Sequence, residues 1–137
     1  MRTLFDTNIL LDIGLARKPF AKSAFACLAA IREIGEFPCF APHSLATFYY
    51  IVAQTHGSKR AIGATQDIIA TGEVVPFDHK TARRSMALAF GDFEDAMVAA
   101  AAEASGMEWI VTRNLADFEK SPVKALSPEA FLAQLSS

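Results

Sequence analysis

The chain has 137 residues, enough for one domain and too few for a second with its own core. It is 52% apolar with eleven Phe and carries a net charge of −2, which predicts a well-filled interior and excludes the strongly basic footprint of a general nucleic-acid binder. An enzyme that grips phosphates through bound cations escapes that exclusion, because its own site is acidic.

No apolar run approaches the roughly 20 residues that span a bilayer, and the opening MRTLFD meets an acid before any secretory apolar region develops. A cytoplasmic protein is expected. Cys27 and Cys39 sit among apolar neighbours without CxxC spacing, so they read as reduced core thiols rather than a disulfide or zinc site.

A short strand is expected over 2–5, ending at Asp6. Asp6-Thr7-Asn8 then opens a short helix through Ile9, Leu10, Leu11 and Ile13 that Gly14 ends. Pro19 opens a longer helix, with Ala21, Phe25, Leu28, Ile31 and Arg32 at helical spacing and Gly35 beyond its end. Residues 37–41 read as the second strand. Helices over 44–54 and 58–70 follow, parted at Gly57, and a third strand covers 73–77. Asp78 is placed to cap a helix over 80–89. Gly91 separates that helix from another over 92–105, which leads to a buried strand over 108–112. A short fifth strand covers 123–126, and Ser127-Pro128-Glu129 caps the last helix. Strands alternating with helices imply a mostly parallel sheet covered on both faces. The expectation is a single three-layer α/β/α domain over residues 1–137.

Ligand sites of open parallel sheets form outside the carboxyl ends of the strands, and several acids fall there. Asp6 ends the first strand. Asp92 and Asp95 open the helix before the Trp109 strand, three residues apart and so on one helical face. Asp117 follows that strand in TRNLADF. Gathered carboxylates repel unless one is protonated or a cation lies between them, and hard oxygen donors favour Mg²⁺ or Mn²⁺ over zinc. Each acid also has a structural reading. Asp6 and Asp92 suit N-caps, and Asp117 suits a turn. Asp95 leads into the apolar MVAAAA run, near a buried face. Asp12, Asp67, Asp78 and Glu94 read as surface or capping groups. Arg113, beside the acids, is either a phosphate contact or a solvated strand-end residue.

Three segments together resemble the PIN domain family, especially bacterial VapC-type toxins: Asp6-Thr7-Asn8 after an apolar strand, DAMVAAA from Asp95, and IVTRNLADF from Ile110. The resemblance spans essentially the whole chain. It implies a Mg²⁺- or Mn²⁺-dependent ribonuclease acting on RNA, the toxin of a toxin–antitoxin pair, and often a homodimer. It assigns metal binding and catalysis to Asp6, Asp95 and Asp117, with Asn8 supporting the first acid and Asn114 the last. One position departs from the pattern. Thr47 stands where the family usually has a Glu, one negative charge fewer, and Asp92 or a water is the available substitute. The alternative that follows from Thr47 is a catalytically weakened PIN-fold module that binds RNA or a protein partner.

Overall fold

The computed structural model describes residues 2–137. Five strands form one sheet: β1 (Thr3–Phe5), β2 (Pro38–Phe40), β3 (Glu73–Val74), β4 (Trp109–Val111) and β5 (Lys124–Leu126). Their spatial order is β3-β2-β1-β4-β5, and every neighbouring pair is parallel. The expected mostly parallel sheet is wholly parallel.

Period-two alternation divides the core between the two faces. Phe5, Phe40 and Val111 pack on one side with Ile9, Leu10, Cys27, Ile31, Phe48, Val52 and Phe131. Leu4, Cys39 and Ile110 pack on the other with Val98, Ala99, Ala101, Ala102 and Phe118. The first face is covered by α1 (Thr7–Gly14), α2 (Phe20–Glu33), α3 (Pro42–His56), α4 (Ser58–Thr71) and α7 (Pro128–Leu135). The second is covered by α6 (Phe93–Ala104), with α5 (His79–Ala87) against it. This is the three-layer α/β/α arrangement. The run of alanines in α6 is buried almost end to end, and small side chains let that helix lie close to the sheet.

Local chemistry sets most boundaries. Asp78 and Ser127 cap α5 and α7 through their side chains, as their sequence positions suggest. Gly14 matters for space: a Cβ there would fall 2.4 Å from the Phe48 ring, so α1 and α3 meet closely at that point. The third strand is shorter than expected, pairing only at Glu73 and Val74 before the chain leaves the sheet edge. Helix α2 is rotated from the expected face. Ala24, Cys27 and Ile31 point inward, while Phe25 is 51% exposed. An alanine-rich helix leaves its apolar face poorly marked, so packing chose the phase. Both cysteines are free and buried, and burial pushes the Cys27 thiol up to about 12.

The chain moves outward from β1 to β2 and β3, then returns across β1 to β4 and β5. The order therefore reverses between β1 and β4, and in open parallel sheets ligand sites form at the carboxyl ends of the strands at such a reversal.

Candidate active site

Asp6 lies at that reversal. It follows β1, its N–H donates to the Val111 carbonyl of β4 (3.0 Å), and its side chain is 3% exposed. The carboxylate is tied at both oxygens. The Thr7 N–H donates to Oδ1 at 2.8 Å, which makes Asp6 the N-cap of α1, and the Thr112 hydroxyl donates to Oδ2 at 2.7 Å. Capping and site membership are thus the same geometry. Burial raises its pKa above the ordinary carboxylate range. The Thr112 and Thr7 bonds oppose the rise, and the charges of Asp92 and Asp117 add to it.

Asp95, 9% exposed, sits in the first turn of α6. Its N–H donates to the Asp92 carboxylate at 3.0 Å, so Asp92 is the N-cap of α6. The Asp95 carboxyl is pushed up to about 7, first by burial, then by the charges of Asp6, Asp92 and Asp117, and by a hydrogen bond shared with Asp117. Asp117 is carried by a short 3-10 helix, Leu115–Phe118, after β4. Folding thus brings Asp6, Asp92, Asp95 and Asp117 from three elements into mutual repulsion at one sheet edge.

The donor set is all carboxylate oxygen, the chemistry that suits a hard divalent cation. A positive charge there relieves the mutual repulsion of these carboxylates. Among the described residues, no three His, Cys, Asp or Glu side chains are drawn together as a preformed metal cage.

Thr112 organises the surroundings, although the sequence reading gave it no role. It is fully buried. Its hydroxyl donates to Asp6 and accepts from the Asn114 N–H (3.0 Å) and from Asn8 Nδ2 (3.5 Å), filling one donor and two acceptor positions. Asn8 Oδ1 accepts from the Arg113 N–H at 3.5 Å, and the Asn114 carbonyl accepts from the Asp117 N–H at 3.0 Å. Thr7 and Ser44 form a second unforeseen link, hydroxyl to hydroxyl at 2.7 Å, between α1 and α3. Thr47 lies three residues beyond Ser44, on the same side of α3, and is half-buried. His43, whose burial holds its pKa below the ordinary value, bonds through Nε2 to the Glu94 carbonyl (3.1 Å) and joins the start of α3 to the first turn of α6.

Two residues stand elsewhere than expected. Asp12, read as a surface or capping acid, is 0% exposed. Arg113 reaches it with Nε–Oδ2 at 2.7 Å and Nη2–Oδ1 at 3.0 Å. Residues distant in sequence carry no mark of such a partnership.

Comparison with solved structures finds the same fold in proteins of toxin–antitoxin complexes. The VapBC2 complex of Rickettsia felis bound to a promoter DNA fragment superposes with a TM-score of 0.75 at 17% identity, covering 93% of this chain and 98% of that one. A toxin–antitoxin complex from Klebsiella pneumoniae gives 0.70 at 25% identity, covering 92% and 97%. Mycobacterium tuberculosis VapC20, described as a sarcin-ricin-loop-cleaving toxin, gives 0.67 at 15% identity, covering 79% and 86%. No curated protein sequence matches the chain significantly. The family model described as a PIN domain matches residues 2–116, most of the chain, so the chain belongs to the PIN domain family.

Proposed function

We propose that this protein is a Mg²⁺- or Mn²⁺-dependent endoribonuclease, the toxin of a toxin–antitoxin pair. One observation carries the reading: Asp6, Asp92, Asp95 and Asp117, from three elements, lie near enough where the strand order reverses to repel one another, and burial, with that repulsion added, raises the pKa values of Asp6 and Asp95. Perturbed acids at a sheet switch point are the mark of a functional cleft rather than of a solvated surface.

Asp6, Asp95 and Asp117 would hold the cation. When bound, it polarises a phosphodiester and lowers the pKa of an attacking water. The chain's own contribution is placement. Thr7 and Thr112 fix both oxygens of Asp6, leaving that carboxylate a single orientation. Asp92 fixes the start of α6, and with it the direction from which Asp95 enters. The buried setting of Asp6 and Asp95 strengthens every charge interaction at the site.

The test is cleavage of single-stranded RNA with Mn²⁺ by the wild type, Asp6→Asn and Asp95→Asn. Each variant is expected to lose about 100-fold or more in rate, and EDTA to abolish cleavage by the wild type. Equal cleavage by all three proteins overturns the reading.

Thr47 supports a second reading, a PIN-fold module that binds RNA or a protein without cutting. Calorimetry separates the two. Mn²⁺ binding that disappears in Asp95→Asn supports the enzyme, and no binding at millimolar metal supports the module.

The antitoxin partner is supported by a groove of about 470 Å³ lined in part by Ile13, Phe25, Leu28, Phe48 and Ile68. Its apolar floor between helices suits an amphipathic segment. Phe25→Glu is expected to abolish co-purification with the product of a small neighbouring reading frame while leaving RNA cleavage intact. Self-association as a homodimer is part of the same proposal, read by sedimentation.

A further inference from the structure

The Asp12–Arg113 pair lies outside the acid cluster, and nothing in the proposed chemistry uses it. Asp12 sits on α1, six residues after Asp6, and is fully buried. Arg113 meets its carboxylate with two parallel hydrogen bonds, 2.7 and 3.0 Å. The guanidinium carbon stands 3.8 Å from the centroid of the Phe20 ring, and Arg17 Nη1 lies 3.8 Å from Asp12 Oδ1. A guanidinium held in its plane by a fork and on its face by a ring has one orientation. A buried carboxylate stripped of such a partner is heavily penalised, so the pairing is obligatory.

Arg113 also lies between the two residues that build the site. Before it, the Thr112 hydroxyl holds Asp6. After it, the Asn114 N–H bonds back to that hydroxyl and the Asn114 carbonyl accepts the Asp117 N–H. The other side-chain ties from α1 residues beyond the Asp6 cap to this segment are the two Asn8 bonds, both 3.5 Å and at the limit of useful geometry. The strong connection is the ion pair. It clamps the turn that carries Asp117 to the helix that begins at Asp6.

We propose that Asp12 and Arg113 are positioning residues, which together set the placement of Asp117 relative to Asp6. The inference rests on the nuclease reading of the acid cluster. With Nε and Nη2 committed to Asp12, Arg113 acts through Thr112 and Asp117 rather than by gripping substrate.

The test uses the paired variant Asp12→Leu/Arg113→Met, the conservative variant Arg113→Lys, and Asp6→Asn as a control on the ribonuclease reading. Replacing a buried ion pair by apolar side chains of similar volume often leaves stability intact, so the paired variant separates position from folding. Its thermal midpoint is expected within about 4 °C of wild type. Its kcat is expected to fall about 10-fold or more with KM within about twofold, the signature of lost transition-state geometry. Mn²⁺ affinity measured by calorimetry is expected to weaken about fivefold or more, because Asp117 no longer meets the other acids correctly. Arg113→Lys, which keeps the charge and loses the fork, is expected to show smaller losses of the same kind.

Wild-type kcat and wild-type Mn²⁺ affinity in the paired variant overturn the proposal; if that variant does not fold, the same result in Arg113→Lys overturns it. If Asp6→Asn cleaves as well as wild type, the ribonuclease reading fails, and Mn²⁺ affinity alone decides positioning: weakened supports it, unchanged overturns it. A wild type that neither cleaves RNA nor binds Mn²⁺ overturns both.

Discussion

Asp95 combines a buried position with three neighbouring acids, and its raised pKa has a direct consequence for stability. In the unfolded chain the group titrates near 3.8, whereas in the fold burial and then the neighbouring acids push it up to about 7. Between those values the native state binds more protons than the unfolded one, so stability falls as pH rises through this window and levels off above it. Asp95→Asn removes the liability. The variant is expected to match the wild type near pH 3 and to exceed it by about 1–2 kcal/mol at pH 8, after allowance for solvent screening. Urea denaturation at the two pH values checks this. Thr112 is the complementary case. Thr112→Val keeps the shape and removes the donor to Asp6, and a loss of about 1–2 kcal/mol is expected, with the Asp6 pKa rising further. Equilibrium unfolding and carboxyl NMR titration read the two effects.

Helices carry the acids, and their seating depends on a few close approaches. Gly14 ends α1 where the Phe48 ring of α3 passes over it. Gly14→Ala is expected to destabilise by about 2 kcal/mol through overpacking, and adding Phe48→Leu should recover part of that loss, because the two positions share one contact. Thermal unfolding of the single and double variants tests the coupling. Element boundaries were legible in sequence wherever capping chemistry marked them, as at Asp78, Asp92 and Ser127. The phase of α2 and the 3-10 helix around Asp117 were not. Alanine fits either face of a helix, and a 3-10 turn has no period long enough to register in an apolar pattern.

For the whole molecule, the sheet order decides where charge accumulates. The reversal between β1 and β4 gathers acids that are remote in sequence onto one edge. A cation bound there reverses the sign of their contribution. Mn²⁺ at about 100 times its Kd is expected to stabilise the wild type by about 2.7 kcal/mol. Asp95→Asn is expected to lose most of that gain, and a thermal-shift titration at pH 8 separates the two proteins. The groove between α1, α2, α3 and α4 is a distinct feature of this scale, since no single helix displays it.

Apolar strands separated by capped helices pointed, from sequence alone, to a mostly parallel α/β/α fold, and the position of Asp6, Asp95 and Asp117 at element ends marked them as candidates. Those signals are local: strand period, helix period and cap chemistry act within a few residues. Tertiary structure alone decided that Thr112 holds Asp6, that Ser44 meets Thr7, and that Asp12 is a buried partner of Arg113 rather than a surface acid. Each of those pairings spans 37 or more residues. Such contacts follow from strand order and helix seating, where burial without a partner is penalised, and no window of sequence records which distant group will fill that need.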